Sequence, residues 1–144
     1  GYRNFATKIW NIARFILMAN DMRHRTSDKG RKHFTAADKK HLKEFEAIKK
    51  KITKDIETYQ FHLAAEKIYH YIWHTFADKI VEGAKPRLKA GDSDSAAALL
   101  MLKEIFVGCL KLLHPFMPFI TEELYNYFEP GLSKDRKLIM IEEW

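Results

Sequence analysis

Apolar residues recur at every third or fourth position along most of the chain, the spacing of helices that each bury one face. Over residues 2–20 the stripe is Tyr2, Phe5, Ile9, Ile12 and Ile16, and Asn20-Asp21 reads as its stop. Residues 21–36 are polar and charged around Gly30 and predict a loop. A second helix is expected over 37–59, with Asp38 near its start, where a carboxylate favours the helix dipole. Its apolar face is Leu42, Phe45, Ile48, Ile52, Ile56 and Tyr59, and Gln60-Phe61-His62 reads as a tight break. A third helix spans 62–84, its stripe Ala65, Ile68, Ile72, Phe76 and Ile80 flanked by Tyr69 and Trp73. Pro86 is expected to end it, because the residue before a proline disfavours the helical region.

Gly91-Asp92-Ser93-Asp94 offers a turn with helix-capping side chains. A fourth helix over 94–113 carries Leu99, Leu102, Phe106, Cys109 and Leu113, and a short fifth follows Pro115 and Pro118, with Thr121 and Glu122-Glu123 in its first turn. Pro130-Gly131 predicts a turn and Leu138-Ile139-Met140-Ile141 a short C-terminal strand. The fold class is therefore all-α. Four main helices plus a short fifth form a bundle whose stripes face one another, and residues 1–144 make a single domain.

Composition narrows this further. The chain is 47% hydrophobic and 13% aromatic, which argues against disorder. A lone cysteine, Cys109, excludes a disulfide framework and a four-cysteine zinc site. Six glycines and four prolines disfavour a turn-rich β-sandwich. No apolar run approaches the ~20 residues needed to cross a bilayer, and Gly1-Tyr2-Arg3-Asn4 lacks the apolar core of a signal peptide. Charge is uneven. Residues 1–60 carry 15 Lys and Arg against 7 Asp and Glu, a net +8, whereas residues 61–144 are net −2. A basic half suits a polyanionic partner.

The first helix does not fit a pure core reading. With Asn4 at zero and 100° per residue, the stripe falls between about 80° and 160°, and Ala6, Trp10, Ala13 and Leu17 extend it to about 240°. The remaining arc holds Arg3, Asn4, Thr7, Lys8, Asn11, Arg14 and Phe15. Phe15 thus sits within about 60° of Asn4, Lys8 and Asn11. An aromatic ring among amides and cations suits an unstacked nucleobase: the ring stacks, an amide reads a base edge, and cations hold phosphate. The alternative is that Phe15 packs beneath the 21–36 loop or another domain.

Other constellations carry less. His70 and His74 stand one turn apart but lack a third ligand, so no metal site is expected. Ser93 and Ser95 have no His–Asp partners for a nucleophilic triad. Cys109 lies on an apolar stripe, Glu122-Glu123 suit a helix start, and no glycine-rich phosphate loop occurs. No catalytic residue is expected.

Arg3-Asn4-Phe5-Ala6-x-Lys8-x-Trp10-Asn11-x-x-Arg14-Phe15 resembles the first helix of the anticodon-binding domain of valyl-tRNA synthetase, a class I aminoacyl-tRNA synthetase. Tyr59-x-Phe61-x-x-Ala64-Ala65 is similar to that family's junction between helices two and three, and Ala84-Lys85-Pro86-Arg87-Leu88 to the end of helix three. Leu113-His114-Pro115-Phe116-Met117-Pro118-Phe119-Ile120-Thr121-Glu122-Glu123-Leu124 is the strongest C-terminal match. Together these motifs span nearly the whole chain in order. Single motifs also occur in the isoleucine and leucine enzymes, and the first-helix pattern points to valine. Two departures stand out: the family commonly has Glu-Leu-Trp at Glu123-Leu124-Tyr125 and Asp-Trp-Tyr at Asp78-Lys79-Ile80.

The resemblance implies a helical module of valine–tRNA ligase that grips the anticodon stem and loop of tRNA(Val). Catalytic and editing domains lie elsewhere in the same polypeptide, since the His-Ile-Gly-His and Lys-Met-Ser-Lys-Ser signatures do not occur in these residues, nor does the usual C-terminal coiled-coil arm. The module is then a fragment with no enzymatic activity or cofactor of its own, while its parent uses ATP and Mg. A cytoplasmic monomer is implied. Lys8 and Phe15 match family positions at the anticodon loop, and Val81, Glu82 and Lys85 lie in a segment that also approaches it. Joined with the first-helix arc, the RNA-binding set is Arg3, Asn4, Lys8, Asn11, Arg14, Phe15, Glu82 and Lys85. Phe15 would stack, Asn11 and Glu82 would read base edges, and Lys8, Arg3 and Arg14 would meet phosphate. Competing readings are the same module of an isoleucyl- or leucyl-tRNA synthetase, or a protein-interaction bundle without RNA binding.

Overall fold

The apolar stripes of seven helical segments close on one another in the computed structural model, which describes residues 2–25, 34–91 and 93–128. Helix α1, Tyr2–Arg25, runs past the expected stop at Asn20-Asp21. Neither residue is proline or glycine, so nothing there forbids another turn. Helix α2, Ala36–Glu57, starts at a capping box that the sequence reading passed over. The Thr35 hydroxyl accepts from the Asp38 backbone N–H at 3.1 Å, and the Asp38 carboxylate accepts from the Thr35 N–H at 3.1 Å. The helix ends when Tyr59 takes a left-handed conformation, φ 62°, and the Gln60 N–H reaches back to the Asp55 carbonyl at 2.7 Å. Tyr59 is 82% exposed and so leaves the apolar face on which its spacing had placed it. Lys67 pairs with Asp55 across this corner.

The third expected helix is a longer, compound rod. Helix α3, Phe61–His70, passes into a π-wound stretch, Tyr71–Val81, and then into α4, Glu82–Lys89. Pro86 lies inside α4 instead of ending the helix. A proline removes one helical donor, and its ring must clear the carbonyl four residues back, here that of Glu82. The wide winding ends immediately before that carbonyl, and α4 carries on for three residues beyond the ring. Of the expected stripe, Ile68, Ile72, Phe76 and Ile80 are buried, with Ala64 in the place foreseen for Ala65 and Tyr71, Ala77 and Val81 added.

Gly91, φ 70°, makes the left-handed turn into α5, Ser93–Leu113. Helix α5 buries residues on nearly every side, as a central rod must, and Phe106 stacks on Phe76 at 6.1 Å and meets Phe128 of α6, Pro118–Phe128, at 5.3 Å. Cys109 is buried in this core, and burial pushes its thiol pKa up. The turn between α5 and α6 is held by buried His114 and Thr121. The Thr121 hydroxyl donates to the Met117 carbonyl at 2.8 Å, so it accepts from His114 Nδ1 at 2.9 Å. Because α6 begins at Pro118, Glu122 and Glu123 fall beyond its first turn, where the dipole argument had placed them. The Pro130-Gly131 turn and the strand expected at 138–141 lie outside the described residues.

One side chain ties three helix ends together. Arg87, near the end of α4, donates to both carboxylate oxygens of Asp38 at 2.6 and 2.9 Å, and to Asp94 at 2.7 and 3.0 Å. Asp38 has no exposure. Burial pushes its pKa up, but the Arg87 and Thr35 hydrogen bonds outweigh this and leave it below the usual carboxylate range. The Arg87 hydrogen bond likewise lowers Asp94, and the two acids raise Arg87 further.

Replacing Arg87 by Met strands a buried carboxylate and is expected to cost roughly 3–5 kcal/mol in urea denaturation. Asp94→Asn, at the half-exposed arm of the junction, should cost under about 1 kcal/mol. Both folded carboxylates titrate below their unfolded values, so their contribution is present above about pH 4 and is lost as pH falls through the folded pKa values. The melting temperature should therefore drop as pH falls below about 4, and less steeply in Arg87→Met.

Candidate nucleic-acid interface

A groove of about 430 Å3 runs between α1 and the compound rod. Asn4, Thr7, Lys8, Asn11 and Phe15 form one wall, and Trp73, Asp78, Glu82 and Lys85 form the other. Ile12, Ala77 and Val81 also line it, all three of them buried. The α1 wall follows from ordinary helical spacing, because residues three and four apart share a face. The rod's wall does not. Trp73 and Asp78 are five residues apart within the π-wound stretch, whose hydrogen bonds run i→i+5; at 3.6 residues per turn they would stand about 140° apart.

Six of the eight candidate RNA-binding residues line this groove: Asn4, Lys8, Asn11, Phe15, Glu82 and Lys85. Arg3 and Arg14 are exposed on α1 and are not among the lining residues. Phe15 is half-buried, with part of its ring against the core. The lysines are already engaged. Lys8 Nζ lies 3.2 Å from Asp78 Oδ1 and 4.5 Å above the Trp73 ring centroid, and Lys85 Nζ lies 2.7 Å from Glu82 Oε1 and 5.4 Å from the Phe15 ring centroid. Two lysines thus meet two carboxylates, and the groove is close to neutral. These pairs are substantially exposed and worth little, so a ligand phosphate can exchange for a carboxylate at small cost.

Sequence reasoning missed Trp73 and Asp78. Trp73 was placed as a flank of the core stripe, and Asp78 appeared only within a family departure. The signal that finds them is the polar arc of the third helix, read at four- to five-residue spacing. The basic character of the first 60 residues divides between two surfaces. The groove holds Lys8, whereas exposed Lys39, Lys40, Lys43, Lys50, Lys51 and Lys54 project from α2, which packs chiefly on α3 and α5. His70 and His74 are exposed with ring centroids 5.0 Å apart, and His74 Nδ1 is 3.8 Å from Asp78. Among the described residues no three His, Cys, Asp or Glu side chains gather to hold a metal ion, and no helix is long and apolar enough to cross a membrane. A larger apolar hollow of about 1010 Å3, lined by Ile48, Tyr71, Leu113 and Phe116 among others, contains none of the candidate residues.

The chain is thus an all-α helical bundle with a groove lined by amides and aromatic rings. Residues 38–144 match the model of the family "Anticodon-binding domain of tRNA ligase", and the chain belongs to that family. It is similar to the valine–tRNA ligases of Petrotoga mobilis (35% identical over 143 residues), Clostridium perfringens (36% over 144) and Carboxydothermus hydrogenoformans (37% over 144). These alignments cover 99% or more of the chain and 16% of each relative. The family match begins at Asp38, so the rod's wall of the groove lies within it and the α1 wall outside it.

Ile12 supports the α1 wall from beneath, 6% exposed. Ile12→Ala should cost about 2–5 kcal/mol by chemical denaturation, and Ile12→Val less than half as much.

Proposed function

We propose that the chain is the part of a valine–tRNA ligase that holds the anticodon stem and loop of tRNA(Val), so that a catalytic domain elsewhere in the polypeptide can aminoacylate the other end. Family membership and similarity, over 99% of this chain, to valine–tRNA ligases support a tRNA partner. The observation that carries the anticodon-loop contact is Phe15, half-exposed at the groove beside Asn11 one turn away and under Lys85. The ring stacks on an unpaired base, Asn4 and Asn11 offer amides to base edges, and Lys8 and Lys85 leave their carboxylates for phosphate. Arg3 and Arg14, outside the groove, meet the backbone of the stem. In this reading ATP and Mg belong to the catalytic domain of the parent enzyme. The 144 residues act as one unit, as a monomer, in the cytoplasm where translation proceeds.

A panel of tRNA(Val), the same tRNA with a swapped anticodon, and isoleucine and leucine tRNAs, titrated over a salt series, tests this reading. Wild-type chain should prefer tRNA(Val), and Phe15→Ala should lose about tenfold or more of that affinity, the worth of one stacked base. Equal, weak binding of every RNA that vanishes by moderate salt would reduce the interaction to nonspecific electrostatics.

A further inference from the structure

The groove contains the same arrangement twice. Phe15 lies under Lys85, which is held by Glu82; Trp73 lies under Lys8, which is held by Asp78. In each case an aromatic ring carries a cation over it, and a carboxylate occupies that cation as a phosphate would. Lys8 and Phe15 are seven residues apart on α1, so the two units are offset by about 10 Å along the helix. Trp73 is fixed in place. Tyr69 stacks beside it at 5.6 Å and Phe5 at 6.2 Å, at interplanar angles of 21° and 24°. A ring braced by two others and half-exposed in a groove is more than a core element needs, since a core ring is simply covered. Ser, Thr or Ala in its place would leave Lys8 with Asp78 alone.

We propose that Trp73 is a second base-stacking platform, so that the groove seats two neighbouring unpaired nucleotides of an RNA loop, one on Trp73 and one on Phe15. This rests on the anticodon-loop reading above and adds to it a residue on the opposite wall. On binding, Lys8 swings from the Trp73 face and Asp78 to the phosphate of the incoming nucleotide, and the base takes the vacated face. Successive bases stacked on successive aromatic rings are a general mode of single-strand recognition, tolerant of sequence because every base has a π-face. In the empty groove Asp78 holds Lys8 in place, and the near-neutral lining makes stacking, not charge, the source of affinity at this point.

The test uses the full chain and a hairpin RNA carrying the tRNA(Val) anticodon stem and loop, with an abasic nucleotide placed at each loop position in turn. For the wild type, two neighbouring positions should each lose roughly tenfold or more in affinity when the base is removed. Phe15→Leu should abolish the penalty at one and Trp73→Leu at the other, while Trp73→Phe keeps part of it. Because Trp73→Leu can disturb packing, each variant is first melted, and 4-thiouridine at the second position of the wild-type complex should photocrosslink to Trp73. A single sensitive position that answers only to Phe15, or a folded Trp73→Leu that retains both penalties with no crosslink, overturns the second platform and leaves the anticodon reading standing. A hairpin with no sensitive position at all overturns both.

Discussion

Three helix ends meet at one guanidinium. Arg87 joins the start of α2, the start of α5 and the end of α4 through two carboxylates, one of them fully buried. Asp38 could not remain charged there alone, since an unpaired buried carboxylate costs several kcal/mol. It is satisfied because its carboxylate accepts from the Thr35 N–H in the capping box and because Arg87 meets both its oxygens in a fixed fork. That geometry sets the register of the rod. Arg87 is two residues beyond Lys85, so the same stretch of α4 anchors the bundle and supplies one end of the groove. A rod free to rotate about its axis would carry Trp73, Asp78 and Glu82 out of line with α1.

Along its length the rod meets α1 by softer means. Phe5, Tyr69 and Trp73 stack, Lys8 reaches Asp78, and Ile12, Ala77 and Val81 fill the space below. The exposed ion pairs contribute little, whereas the aromatic and aliphatic contacts are non-directional and fit many sequences. The junction therefore orients the wall, and the walls' upper surfaces stay polar and exchangeable. Under the proposed function, a site that takes up and releases a charged polymer calls for that division.

Much of this was legible in the chain. The first helix separated cleanly into a buried stripe, Phe5, Ile9, Ile12 and Ile16, and a polar arc, and six residues read from arc and resemblance line one groove. The bundle and its four main helices follow from apolar residues at three- and four-residue spacing, and the short fifth from the prolines ahead of it. What was not legible has physical causes. Tyr59 kept the period of α2 but sits in the left-handed turn that ends it, which spacing cannot reveal. Pro86 is an interior residue of α4, which follows directly on the π-wound stretch, whereas a proline alone predicts a helix end. Trp73 and Asp78 share a wall inside a π-wound stretch, whereas the α-helical period sets them about 140° apart and puts Trp73 at the edge of the core. The lysine–carboxylate pairs join residues as far apart as Lys8 and Asp78, a proximity that only the folded chain creates.

That pairing changes what net charge means here. The sequence suggests a basic half acting as a whole on a polyanion, yet the groove is balanced, and among the described residues exposed lysines stand on α2 while Arg3 and Arg14 stand on α1 outside the groove. In the proposed reading the two surfaces do different jobs. Exposed lysines raise the encounter rate with any nucleic acid, over a range set by the screening length and lost with salt. A neutral groove adds nothing to that attraction, and a duplex, whose bases are stacked already, gains nothing from its rings. Only a strand with bases turned outward meets Phe15 and the amides beside it. A groove rich in unpaired cations would bind every RNA tightly and discriminate poorly. Placing a carboxylate against each lysine removes that indiscriminate term, and it is the reason a near-neutral groove suits a module whose task is to distinguish one loop from another.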